Sequence, residues 1–379
     1  MQSSRLFVVF AILSLVFGMG NSAFADEDHA YLDAPRAFHE HPVSMPLHER
    51  HLAPRAAARK VVVEEMIALQ TSVKAQQSRG TCSIFSAIGL FESMLVIKQG
   101  FPTTTDLSEE YLEYVLMRNR SSDGSYSTSN FRAIANFGMP TEATFPYIGQ
   151  TWTADAMTDL AQQRCGRFSD LRLASCLLGH RDPELIDVSD EELLNPESAN
   201  HDLEFQAART EALQLRAQSI QLENTRMSVS AIEDIKILLS TGTPLTLDID
   251  FYYGAWNHRK GPELGINRDM DNWAKGIVGY PESNSADRAN SSRSPAGHSI
   301  VLVGYDDDRV VTTTVLMRNG STRQFSYKGV YYFKNSWGAD NFGVATEINR
   351  KVYPGYGMIT QKYAHEMGTF TQMPLKGRE

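Results

Sequence analysis

Cysteine is scarce, with three residues among 379. That excludes a scaffold stapled by many disulfides, and a chain this long can build a large core without one. Basic charge is not in excess either. Lys and Arg number 36 against 45 Asp and Glu, a net charge of −9, so the broad cationic footprint of a nucleic-acid binder is missing. The 15 Pro and 26 Gly do not reach a disordered or low-complexity bias. Beyond the N-terminus no segment approaches the ~20 consecutive apolar residues of a spanning helix. No internal repeat is found. What is there is ordinary globular composition, 42% hydrophobic and 21% charged.

The first 25 residues carry Arg5, an apolar run over 6–17, and Ala23-Phe24-Ala25 ahead of Asp26. This is the order of a secretory signal peptide with a small-x-small cleavage site, bacterial in style. It implies a secreted or periplasmic protein, with no membrane attachment after signal removal. Export means an oxidising compartment, so a local Cys165–Cys176 disulfide is expected. Cys82 is then an odd thiol, either an intermolecular bridge or a reactive group. The polar segment 26–61 holds His29, His39, His41, His48 and His51 and is interrupted by Pro35, Pro42, Pro46 and Pro54. Its irregular histidine spacing, with no Cys or ordered carboxylates alongside, suits a solvated segment better than a metal site.

Helical periodicity opens at Cys82 and stops at Gly100, with further helices expected over 108–117, 129–137 and 229–239. Residues 150–227 are helix-forming and rich in Leu, Ala, Gln and charge. After Gly242 the character changes. Strands are expected over 245–251, 299–303, 310–317, 323–327, 330–333 and 358–362, with a hairpin turn at Asn319-Gly320 and a long polar loop over 261–295. Helices first and strands second indicate an α+β protein of two lobes. Asp306-Asp307-Asp308 reads as a solvated turn rather than a calcium site.

Three local patterns carry chemistry. In Gln76-Gln77-Ser78-Arg79-Gly80-Thr81-Cys82-Ser83 the thiol meets a helix N-terminus, whose partial positive charge favours thiolate. The Gln76 amide and the Cys82 N–H are candidate donors to an oxyanion. In Gly297-His298-Ser299 a histidine opens an apolar strand. In Lys334-Asn335-Ser336-Trp337-Gly338 an amide oxygen can orient that imidazole while an indole shields the bond. Each pattern alone is weak, because a lone Cys or His is more often a packing residue. Their joint occurrence in the order Cys, His, Asn is what points to nucleophilic catalysis.

With these patterns the chain resembles the papain-like cysteine peptidases. Further points of resemblance are Leu107-Ser108-Glu109-Glu110, Gly138-Met139-Pro140-Thr141-Glu142, Phe145-Pro146-Tyr147 and Gly355-Tyr356-Gly357. The resemblance implies an α+β, papain-like two-lobed fold, a helical lobe and a β-rich lobe with the active cleft between them. It implies Cys82 as nucleophile, His298 as base and acid, Asn335 as orienter, Gln76 as oxyanion donor and Trp337 as cover. By matching position Gly124, Ser125, Tyr126 and Ser299 line the substrate groove. Two departures stand out. Arg79 occupies the place of the family's first half-cystine, whose partner position falls in Ser122-Asp123-Gly124-Ser125, and Ser83 replaces a tryptophan. The interval from Cys82 to His298 also exceeds the family's roughly 130–150 residues, the excess falling in 150–227 and 261–295.

The expected organisation is a signal peptide (1–25), a polar segment (26–61) acting as short pro-segment or linker, a peptidase domain (62–363) and a C-terminal tail (364–379). Within the domain lie a helical lobe (about 62–149), a helical insertion (about 150–227) and a β-rich lobe (about 228–363). The expected reaction is peptide-bond hydrolysis through a thioester, on peptide or protein substrates, with no cofactor and no metal. The insertion is either plain surface or a docking arm for a protein partner. Two rival readings use the same residues: a papain-fold protein that binds peptides without turnover, and an acyl transferase.

Overall fold

The computed structural model describes residues 61–377. The expected signal peptide, and the polar segment up to residue 60, lie outside these residues.

The helical half starts with α1 (Val63–Ala68) and α2 (Cys82–Gln99). Nearly every side chain of α2 is buried, and Gly100 closes it in the left-handed conformation at φ 72°. It is long and apolar enough to cross a membrane, but 78% of it is buried in the protein interior, as befits a core helix. Ser108 caps α3 (Glu109–Met117) by accepting from the Tyr111 N–H, and Glu109 and Glu110 occupy its first turn, where the helix dipole favours negative charge. Then come α4 (Ser127–Phe137), α5 (Asp159–Cys165), α6 (Asp170–Gly179), α7 (Asp190–Leu194) and α8 (Leu203–Ser219). Residues 150–227 are helical, as their composition indicates, but they are not an appendage. Phe205, Ala208 and Ala212 of α8 belong to the main core. A smaller cluster of Trp152, Ala161 and Leu177 surrounds the bonded pair Cys165–Cys176. That bond closes a loop of 11 residues, so replacing both cysteines with serine should lower the unfolding free energy by about 3 kcal/mol. Urea titration of the double variant checks this.

The second half is built on a seven-stranded sheet in the order β1-β9-β2-β4-β5-β8-β3. Its strands are β1 (Ser228–Val229), β2 (Leu245–Asp250), β3 (Ile277–Val278), β4 (Gly297–Leu316), β5 (Thr322–Lys334), β8 (Tyr356–Thr360) and β9 (Gly368–Thr371); β6 (Glu347–Ile348) and β7 (Lys351–Val352) pair separately. Helices α9 (Ile232–Ser240), α10 (Met270–Ala274), α11 (Ala286–Asn290) and α12 (Gln361–Met367) pack around it. The four strands expected over 299–333 are really two long ones. β4 and β5 run on past the core as a hairpin arm that turns at Asn319-Gly320, with Gly320 at φ 82°. A register shift at Asp306/Val310 absorbs the acidic triplet, where Asp306 Oδ1 accepts from the Asp308 and Arg309 N–H groups.

Three expectations need correcting. Residues 261–295 are not a plain loop. Asp269 and Ser285 cap α10 and α11, and local side-chain caps of this kind hold short helices that hydrophobic periodicity does not reveal. The strand expected over 358–362 ends at Thr360, which caps α12 by accepting from the Tyr363 N–H. The segment expected as a tail contains β9, which lies between β1 and β2 inside the sheet. Phe370, Met373 and Leu375 are buried there, so the C-terminus completes the core.

Candidate active site

Cys82 is the first residue of α2, is buried, and forms no disulfide. A residue in that position lies among the helix's first N–H groups, which lack intrahelical acceptors and carry the positive end of the dipole. His298 stands at the start of β4. Its Nε2–H donates to Asn335 Oδ1 at 2.8 Å, and the same oxygen accepts the Ser336 N–H at 2.9 Å. That bond fixes the ring and its tautomer, and leaves Nδ1, buried and without a hydrogen-bond partner among the described residues, as the proton acceptor. Burial pushes the imidazole down to about 3, while the Asn335 bond acts to raise it and nearby His258 to lower it. An adjacent thiolate would act in the raising direction.

Trp337 stacks on His298 with centroids 4.6 Å apart, and on its other side stacks on Trp273 at 5.6 Å. Trp256 meets the His298 ring edge-on at 5.0 Å and Phe251 at 6.0 Å. The His298–Asn335 bond is therefore walled off from water by indole and phenyl rings, which strengthens it.

Two links bring α2 to this strand end. Ser86, one turn below Cys82 on the same helix face, lies with its hydroxyl 2.5 Å from that of Ser299, the neighbour of His298. Gln76 accepts from the Ser336 hydroxyl at 2.7 Å, and its backbone N–H donates to the Ser336 carbonyl at 2.9 Å. The Gln76 amide also donates to the Arg79 carbonyl at 2.8 Å, bracing the turn that leads into Cys82. Gln76, His298, Asn335 and Trp337 are thus drawn together from segments far apart in the chain, and α2, which begins at Cys82, is tied to the same strand end through Ser86. A small recess is lined by Phe85, Gly89 and Glu92 of α2 together with Ser72, Lys74, Lys334, Asn335 and Ser336. Burial there lowers the Lys334 ammonium to about 8.

The expected groove residues divide. Tyr126 is 39% exposed and Gly124 is half-buried, its carbonyl accepting from Arg120. Ser125 and Ser299 are buried. Ser125 meets the Ser83 hydroxyl at 2.8 Å, and Ser299 donates to Asp248 at 2.6 Å. Ser83, where the family pattern has tryptophan, therefore joins a serine network instead of a ring stack.

A family profile for the papain family cysteine proteases matches residues 62–287. This chain belongs to that family. The matched span includes Cys82 and Gln76 and ends before His298 and Asn335. Chicken (Gallus gallus) cathepsin K is 36% identical over 81 residues, 21% of this chain and 24% of that protein; the aligned stretch spans about a quarter of the relative's length. Among solved structures, digestive procathepsin L 3 from the larval midgut of Tenebrio molitor has a TM-score of 0.43 at 16% identity, covering 87% of this chain and 74% of that one. Xylellain, a cysteine protease from Xylella fastidiosa, has a TM-score of 0.42 at 15% identity, covering 82% and 83%. The α+β fold described above is the papain-like fold that the motifs imply.

Several residues at this papain-family site escape the motif reading. Phe251, Trp256, His258 and Trp273 pack around Trp337, with His258 6.0 Å from it. The density of aromatic residues over 251–258 was the available signal. Arg79 had a signal too, as a charged residue in a half-cystine's place. It is 1% exposed and pairs with Glu113 and with Asp123, at 2.8 Å. It also donates to the Leu178 carbonyl at 3.0 Å and to His180 Nε2 at 3.0 Å. Asp123 in turn accepts from the Gly80 N–H at 3.2 Å. An ion cluster thus ties the turn that leads into Cys82 to the 122–125 loop and to residues 150–180.

Proposed function

We propose that this protein is a cysteine peptidase that hydrolyses peptide bonds through Cys82, His298 and Asn335, with Gln76 as an oxyanion donor. The observation that carries the reading is the buried His298–Asn335 bond beneath Trp337, which presents Nδ1 of a neutral imidazole as a base. The Cys82 sulfur adds to a peptide carbonyl as its proton passes to His298. The carbonyl π electrons move onto oxygen, where the Gln76 amide and the Cys82 N–H receive the negative charge. The tetrahedral adduct collapses, the C–N bond breaks, and His298 returns its proton to the leaving amine. A water, deprotonated by His298, then attacks the thioester and releases the acid, and the sulfur recovers the proton. Signal-directed export, a short pro-segment over 26–60 and a catalytic domain from residue 62 through the C-terminal strand belong to the same proposal.

The test is labelling with an epoxysuccinyl thiol reagent at mildly acidic pH, read by peptide mass mapping. One adduct on Cys82 is expected, with a large loss of labelling rate in His298→Ala. Equal labelling of the two proteins would overturn the paired Cys–His site. Turnover of a peptide to free acid and amine separates hydrolysis from peptide binding and from acyl transfer.

A further inference from the structure

The turn from Gln76 to Cys82 carries both proposed oxyanion donors, the Gln76 side-chain amide at one end and the Cys82 N–H at the other. One phenol reaches both ends of it. The Tyr147 hydroxyl donates to the Gln76 backbone carbonyl at 2.9 Å and lies 2.9 Å from the Thr81 hydroxyl. A phenol has a single proton to give. With that proton on the carbonyl, Thr81 is the donor to the Tyr147 oxygen, and the two bonds run in one direction and polarise each other. Thr81 stands at the N-cap of α2, yet its side chain makes no cap bond to the helix. The bridge thus holds the threonine away from the first N–H groups of α2. The phenol ring is itself fixed. Phe85 of α2 meets it edge-on with centroids 5.0 Å apart, and the Tyr147 N–H donates to Glu142 at 2.8 Å. Burial pushes the phenol well above its ordinary range, so it stays a donor at working pH. Between the two ends, Gln77 lies in the left-handed region at φ 51°, a costly conformation for a residue with a side chain. Residues just beyond Tyr147 hold it there. The Ser78 hydroxyl donates to the Gly149 carbonyl at 3.1 Å, and the Thr151 hydroxyl donates to the Ser78 carbonyl at 3.0 Å. A Cβ on Gly149 would come within 2.7 Å of the Gln77 side chain, so only glycine lets the two segments approach this closely.

We propose that Tyr147 is a positioning residue of the peptidase reaction, whose hydroxyl bridges Gln76 and Thr81 and so sets the spacing of the two oxyanion donors. This rests on the peptidase reading above. Oxyanion donors act because they already point to where charge will develop, and a small misplacement forfeits much of their effect. The turn that carries them is strained at Gln77, so it keeps its shape only while its ends are restrained. Without the phenol hydroxyl the Gln76 peptide plane loses one restraint. Thr81 is then released to bend onto its own helix as an ordinary cap, beside the Cys82 N–H. A tyrosine that served packing alone would affect stability, and would not separate reactions that build an oxyanion from those that do not.

Tyr147→Phe keeps the ring and removes one oxygen. Three quantities are read on the full chain: peptide hydrolysis, inhibition by a peptide aldehyde, and alkylation by iodoacetamide. The first is expressed per labelled Cys82, so a loss of folded enzyme cancels. The aldehyde takes the sulfur at its carbonyl carbon while the thiol proton passes to the carbonyl oxygen, and that oxygen occupies the oxyanion position. Iodoacetamide forms its C–S bond as iodide leaves and the thiol proton is lost, with no oxyanion. In Tyr147→Phe, kcat should fall about 10-fold, short of the roughly 10²- to 10³-fold loss from deleting a donor outright. KM should change little, and the aldehyde should bind more weakly by a similar factor. The alkylation rate and its pH profile should stay within about twofold of the wild type, because they report the thiolate alone. On a Gln76→Ala background the same substitution should cost less than about threefold, since the donor it positions is already gone. Thr81→Val breaks the other end of the bridge. It should show the same split between hydrolysis and alkylation, and it carries the test if the tyrosine variant does not fold. An unchanged kcat, alkylation that falls in step with kcat, or an undiminished loss on the Gln76→Ala background overturns this inference and leaves the peptidase standing. A wild type that cleaves no peptide, with the same blank as Cys82→Ala, overturns the peptidase reading and this inference with it.

Discussion

Replacing His298 with alanine is expected to lower kcat for peptide hydrolysis by about 10³- to 10⁴-fold, the range that positioned proton transfer commonly supplies. KM should change little, because in the proposed mechanism the ring serves the reacting atoms rather than the bound peptide. In the proposed mechanism the variant loses the acceptor for the thiol proton and the donor to the leaving amine at once. Its Cys82 should then alkylate more slowly at mildly acidic pH, with a rate that rises only as the thiol ionises without a paired base. Fluorogenic peptide kinetics and the pH profile of alkylation read the two effects separately. Asn335→Ala is the milder counterpart. Its bond to Nε2 acts to raise the basicity of an imidazole that burial holds down at about 3. Removing it weakens the base further and frees the ring to turn. The rate should fall, and the limb of the pH profile that reports loss of the imidazolium proton should move to lower pH. An unchanged kcat in His298→Ala would remove the imidazole from the mechanism.

The second large effect concerns stability. Arg79→Met should lower the unfolding free energy by about 3–5 kcal/mol, the usual consequence of leaving buried charges uncompensated. Glu113 is fully buried, and Asp123 is held by the guanidinium through Nη2 at 2.8 Å and Nε at 3.3 Å. Activity should fall as well, because Asp123 holds the Gly80 N–H two residues before Cys82, the proposed nucleophile. The cause can be isolated. Adding Glu113→Gln and Asp123→Asn to Arg79→Met removes the stranded charges, so the triple variant should be more stable than the single one. Urea midpoints for the two proteins decide the matter. A single variant as stable as the wild type, or a triple variant no better than the single, would show that the ion cluster does not hold this region.

The extent to which the sequence was legible follows from how local each feature is. Gly80 ahead of Cys82, the Ser108 cap with its two glutamates, and the Asn319-Gly320 turn are decided within a few residues. The structure has a helix start, a capped helix and a hairpin at those places. Cys82, His298 and Asn335 stood out as candidates for the same reason, since each sits in a short pattern of its own. The 261–295 region was not legible, because its helices depend on single capping residues rather than on periodicity.

From its residues alone, this chain determined the α+β layout, the order Cys, His, Asn, and the pairing of the two remaining cysteines. Tertiary structure alone decided what lies between those patterns. It placed β9 inside the sheet, aligned Asp248 with Ser299 and Ser127, and gathered Glu113, Asp123 and His180 around Arg79. The reason is separation along the chain. Side chains dozens to hundreds of residues apart leave no periodic trace in either segment, and whether a buried charge finds its counter-charge depends on how distant elements pack.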